Sequence, residues 1–123
     1  MPNQKYRRGA AVEYKAKAFL ENHGFHVMRS AGSKGIFDIV AFKVEDGVML
    51  VRLVQCKSTI AEYNTIKKDY NSVFEHRTDD KNCSVELWIY EADKGFTTVY
   101  ISNARFAGPK KATTNIVGSN DKW

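Results

Sequence analysis

The chain has 123 residues, 43% hydrophobic and 12% aromatic, which suits one compact domain with a real core and leaves too little length for two. Nineteen lysines and arginines against fourteen acids give a formal net charge of +5, a balance that favours a polyanionic partner. No apolar run approaches the roughly 20 residues that span a bilayer, and the polar opening carries no signal-like apolar segment, so no membrane partner and a cytoplasmic location are expected, in the host if the gene is viral. Cys56 and Cys83 have no CxxC or Cys/His company, so they read as reduced structural thiols rather than zinc ligands. One domain over residues 1–123 is expected, with 109–123 as a loosely ordered tail.

In chain order, Val12, Ala16, Phe19 and Leu20 recur at helical spacing, so the pattern predicts a helix from Ala10 to about Asn22, stopped by His23-Gly24. Phe25 to Arg29 reads as a short strand, followed by the glycine- and serine-containing loop SAGSKG. Phe37 to Lys43 and Val48 to Lys57 read as a hairpin around Asp46-Gly47, a strong tight-turn signal. The stripe Tyr63, Ile66, Tyr70, Val73 and Phe74 predicts a second helix, and Val85 to Tyr90 and Thr97 to Ile101 two further strands. The order αβββαββ implies an α/β fold, a mixed central sheet flanked by helices.

Chemistry concentrates in the hairpin. Gln55 and Lys57 project to one side of their strand, about 6 to 7 Å apart, while Cys56 points to the other. Asp38 interrupts the apolar run IFDIVAF, where desolvation normally excludes a carboxylate. A two-residue turn at Asp46-Gly47 sets Glu45 opposite Val48, and counting back down the ladder sets Asp38 opposite Gln55 on one face. A four-residue loop would set Asp38 opposite Leu53, with Gln55 a diagonal neighbour, and a slip of one residue would part them. A carboxylate, an amide oxygen and an ammonium on one patch suit Mg²⁺-assisted phosphodiester hydrolysis: the oxygens hold the ion and the ammonium stands by the attacking water and the phosphate.

An Asp, a hairpin and then Gln-x-Lys resembles the core of the PD-(D/E)xK nuclease superfamily, with Gln in place of the second acid and IFD where Pro-Asp is usual. The opening RRGAAVE, from Arg7 to Glu13, and the stretch GFHVMRSAGSKGIFDIVAF are similar to archaeal-type Holliday junction resolvases. This resemblance covers roughly Arg7 to Ser58. It implies a restriction-endonuclease-like core and a homodimer cutting branched double-stranded DNA, the four-way junction, with Mg²⁺ or Mn²⁺ as cofactor. It makes Glu13, Asp38 and Gln55 the metal ligands and Lys57 the residue beside the attacking water. Ser33 takes the position of the family's loop serine, with Ser30 competing for it. Arg7, Arg8, Arg29 and Lys34 are implied as phosphate contacts, which position DNA without reading sequence.

Each of these residues taken singly has a plainer role. Glu13 near a helix start is explained by the helix dipole, Asp38 by a structural ion pair with Lys57, and Gln55 by a hydrogen bond to Asp38. His23, His26 and His76 lack metal-like spacing. The aromatic residues of the second helix fit a core or a dimer interface better than base stacking. Two rival functions remain at this level. One is a repair or restriction-like endonuclease of the same superfamily acting on linear or flapped DNA; the other is a DNA-binding protein of the same fold without catalysis.

Overall fold

The computed structural model describes residues 4–30, 35–58, 63–91, 95–101 and 106. Its elements are α1 (Gln4–Asn22), β1 (His26–Arg29), β2 (Ile39–Glu45), β3 (Val48–Ser58), α2 (Tyr63–Glu75), β4 (Cys83–Glu91) and β5 (Gly95–Ile101), the expected αβββαββ. The strands lie in chain order in one sheet. Only β3 and β4 are parallel, and α2 is the crossover between them; the other neighbours are antiparallel.

Helix α1 begins at Gln4, six residues before the expected Ala10. The residues added are chiefly Gln, Lys and Arg, good helix formers that extend the helix past its apolar stripe, and Gly9 is tolerated inside at a cost of about 1 kcal/mol. Its C-terminus closes as a Schellman motif. Gly24 takes φ +88° and donates to Glu21 O at 3.0 Å, Phe25 donates to Leu20 O at 3.1 Å, and both Phe25 and Leu20 are buried. In the hairpin, Asp46 and Gly47 both take positive φ, 53° and 78°, the signature of a type I′ turn whose twist suits a two-residue connection. Glu45 therefore pairs with Val48, and the ladder runs from there to Ile39 opposite Val54.

Strand alternation divides the core between the two faces. Val12, Ala16 and Leu20 of α1 bury against Ile39, Ala41, Leu50, Val54, Cys56 and Trp88. Tyr70 and Val73 of α2 bury against Val85, Leu87 and Ile89 on the opposite face. Covered on both sides, β4 is buried from Ser84 to Ile89. Cys56 and Cys83 are free thiols, and burial pushes the Cys56 thiol well above its usual range, which fits packing rather than reactivity.

The face of β3 that meets α1 also carries Arg52, 2% exposed. Its guanidinium forms a bidentate pair with Glu86, both contacts at 2.8 Å, and Trp88 Nε1 donates to the same carboxylate at 2.8 Å. Phe25, Trp88 and Phe106 surround the cation at 5.4 to 5.6 Å. Replacing Glu86 with Ala removes the carboxylate paired with this buried cation and is expected to cost about 3–5 kcal/mol in urea unfolding; a loss under about 1 kcal/mol would show that the other contacts of Arg52 suffice to hold its charge.

Candidate active site

At the mouth of the hairpin the chain bends, and Asp38 leaves the ladder one residue before β2. Its amide donates to Val54 O at 2.9 Å and its carboxylate Oδ2 accepts the Cys56 N–H at 2.9 Å, so Asp38 is bonded to both neighbours of Gln55. The expected register thus holds through Ile39 and brings Asp38 beside Gln55, but not face to face with it. Because strand N–H groups lie in the plane of the sheet, a carboxylate that accepts one lies near that plane, at the end of the ladder between the α1 and α2 faces.

That position explains the electrostatics. Burial pushes the Asp38 carboxyl up to about 6; the Cys56 N–H opposes the rise, as does the charge of Lys57, while Glu13 and Asp69 add to it. Charges on both helices therefore reach this one acid.

On the α1 side, Glu13 sits in the middle of a 19-residue helix, beyond reach of the dipole at its end, which acts within the first turn. The reading of Glu13 as a helix-dipole residue is corrected by the longer helix. Arg29 of β1 donates from Nη1 to Glu13 Oε1 at 2.8 Å, with both side chains 18% exposed. The same guanidinium lies 4.5 Å from the Tyr14 ring centre and reaches Tyr14 Oη at 3.4 Å. These bonds raise the Arg29 pKa, Glu13 contributing most, and fix a cation beside the acid.

On the α2 side, Lys57 Nζ lies 3.1 Å from Asp69 Oδ2. The expected structural pair of Asp38 with Lys57 is therefore replaced by one with an acid that sequence reasoning did not identify. Its signal was there: Asp69 stands three residues after Ile66 and four before Val73, an acid beside the apolar stripe of a helix. Among the described residues Asp38 forms no ion pair, and the buried Gln55 Oε1 has no hydrogen-bond partner. Ser33, Lys34 and the side chains of Arg7 and Arg8 lie outside the described residues. His23 and His76 contact the carbonyls of Phe19 and Ser72, each at 2.8 Å, the structural roles expected of them.

Among the described residues no three His, Cys, Asp or Glu side chains converge as a metal cage. Mg²⁺ does not require one, since it takes one or two carboxylates and keeps several waters. The Asp38 carboxylate, held by the backbone next to Gln55, and the unpartnered buried amide oxygen of Gln55 are ligands of the kind that demand calls for, and a cation at Asp38 would offset its burial and the repulsion it meets from Glu13 and Asp69.

A mixed sheet with a helix on each face, and an acid leaving its hairpin beside a Gln-x-Lys strand, belongs to the restriction-endonuclease-like class of folds. Within that class, the family model described as archaeal Holliday junction resolvase (hjc) matches residues 4–76, more than half of the chain, and the chain belongs to that family. It is also 42% identical over 55 residues to the crossover junction endodeoxyribonuclease Hjc of Methanocaldococcus jannaschii, a stretch that is 45% of this chain and 38% of that protein.

Proposed function

We propose that the chain is an endonuclease that resolves four-way DNA junctions with Mg²⁺, acting as a homodimer in the cytoplasm. The observation that carries the reading is the Asp38 carboxylate fixed beside Gln55, with Lys57 two residues along the same strand; membership of the resolvase family supports the substrate. Asp38 and Gln55 Oε1 would hold the ion, with Glu13 completing the shell directly or through water. Bound there, Mg²⁺ would supply positive charge to the phosphate oxygens under attack. The protein's own groups do the rest. The Cys56 N–H orients Asp38, Lys57 brings an ammonium to the attacked phosphate, and Arg29, clamped by Glu13 and Tyr14, presents a fixed cation to the DNA backbone. The test is cleavage of matched four-way, flapped and linear DNA with and without Mg²⁺. Preferential Mg²⁺-dependent cutting of the four-way substrate is expected; equal cutting of all three would reduce the reading to a general endonuclease, and binding without cutting to a DNA-binding protein.

Gln55 gives a graded prediction. An amide oxygen coordinates Mg²⁺ without adding charge, so Gln55→Glu is expected to lower the Mg²⁺ concentration for half-maximal cleavage and Gln55→Ala to raise it severalfold with a slower rate. A Gln55→Ala protein that matches the parent across a full Mg²⁺ titration would show that the amide only packs beside Asp38.

The dimer has a candidate surface. On the sheet side away from α1, Val44 and Met49 pair directly and are 64% and 50% exposed, and Met28, opposite Val40, is 60% exposed. An apolar patch of this kind on a sheet marks a contact site, and a C₂ pair would place two sites for two symmetric cuts. Light scattering at micromolar concentration is expected to give a dimer for the parent and a monomer for Val44→Lys with Met49→Lys. A parent that is monomeric with and without junction DNA would remove the dimer.

A further inference from the structure

Three charged side chains stand near Asp38 without pairing with it. Glu13 is taken by Arg29 at 2.8 Å, and Lys57 by Asp69 at 3.1 Å. Of these, the second arrangement is the less obvious. Lys57 is close enough for its charge to act on Asp38, it stands on the strand whose Cys56 N–H Asp38 accepts, and a half-buried carboxylate with no counter-ion among the described residues is the natural destination for a flexible ammonium. Helix α2 supplies a competing acid. Asp69 is anchored by its neighbour Tyr70, 1% exposed in the core against β4, and its side chain is 15% exposed against 31% for Lys57. Its buried Oδ2 makes no aligned hydrogen bond among the described residues, so Lys57 is attracted by charge at 3.1 Å and not locked by geometry.

We infer that Asp69 is a positioning residue: it draws Lys57 to the α2 side, which keeps the ammonium off Asp38 and leaves Asp38 and Gln55 Oε1 open to a divalent cation. The inference rests on the metal-dependent reading proposed above. Without Asp69, the Lys57 ammonium falls back on Asp38 and competes with the cation for the same carboxylate. An ammonium and a divalent ion cannot both occupy it, so the loss of metal affinity on removing Asp69 depends on Lys57 being present. A mere loss of one negative charge near the site would weaken metal binding whether Lys57 is present or not.

The experiment measures Mn²⁺ binding by electron paramagnetic resonance on the full chain without DNA, so the readout is independent of cleavage. Four proteins are compared: the parent, Asp69→Asn, Lys57→Met and the double variant. Asp69→Asn is expected to bind Mn²⁺ about five- to tenfold more weakly than the parent, whereas the same change on the Lys57→Met background costs no more than about twofold, the difference being the coupling of two side chains in contact. Asp69→Ser repeats the comparison if Asp69→Asn does not fold. As a second readout, raising Mg²⁺ is expected to restore most of the junction cleavage of Asp69→Asn, because a competitor is displaced by excess ion. Equal losses in both backgrounds, or cleavage that stays low at saturating Mg²⁺, would overturn the role of Asp69 and leave the nuclease reading intact. A parent that binds no Mn²⁺ would overturn both.

Discussion

Asp38→Asn is expected to abolish junction cleavage while making the metal-free protein more stable at neutral pH. The loss of activity follows from removing the charged ligand of the proposed site. The gain in stability follows from the raised pKa of Asp38, about 6 against an ordinary 3.8, with burial its first cause. A carboxyl with its folded pKa above its unfolded one binds its proton more tightly in the native state, so stability is highest below about pH 4, falls as pH rises towards 6 and stays lower above it. Full conversion of such a shift would approach 3 kcal/mol, but the group is partly exposed and solvent screens it, so about 1–2 kcal/mol is expected. Asn keeps an oxygen to accept the Cys56 N–H and carries no charge to desolvate. Urea unfolding in the presence of a chelator is therefore expected to show Asp38→Asn more stable than the parent by that amount at pH 7 and equal to it near pH 4. A variant that is less stable at pH 7 would mean the ionised carboxylate is held by contacts that outweigh its burial. Normal cleavage by the variant would remove Asp38 from the metal site.

The element order and the hairpin register were legible because they rest on strong local signals. Asp46-Gly47 admits a tight turn with positive φ at both residues, and once the turn has two residues the pairing of Ile39 with Val54 follows by counting. What the pattern did not encode was the last step, where Asp38 exchanges its ladder partner for the backbone of Val54 and Cys56. A bend at a strand end depends on tertiary competition for hydrogen bonds, and no periodicity reports it. The early start of α1 was missed for a related reason: an apolar stripe marks where a helix is buried, and the polar turn before it is helical by propensity.

Charge partners were the least legible part of the site. Pairing Lys57 with Asp38 was the natural expectation from one hairpin, yet Asp69 comes from α2, the crossover helix that follows it. The same blindness hid the pair of Arg52 with Glu86, although alternation alone puts Arg52 on the face of Leu50, Val54 and Cys56. In both cases a charge at an apolar position signalled that a partner must exist, and only the fold could say which.

Lys57→Ala is expected to slow junction cleavage by at least about a hundredfold, the scale for losing one preorganised group that meets transition-state charge, while junction affinity changes by no more than a few-fold. The two quantities separate because the ground-state phosphate already meets many cations, among which one ammonium counts for little, whereas the charge that develops during attack lies within reach of few groups. Affinity is to be measured with Ca²⁺ in place of Mg²⁺, so that binding is read without turnover. Folding is expected to change little: the pair with Asp69 is about a third exposed on the lysine side, and such pairs contribute about 1 kcal/mol or less. Lys57→Arg is not expected to rescue the rate, because a planar guanidinium cannot place a compact ammonium at the same point. If Lys57→Ala, purified and folded, cleaves within a few-fold of the parent, Lys57 serves only as the counter-ion of Asp69 and the phosphate is stabilised elsewhere; if affinity and rate fall together, its role is to hold DNA.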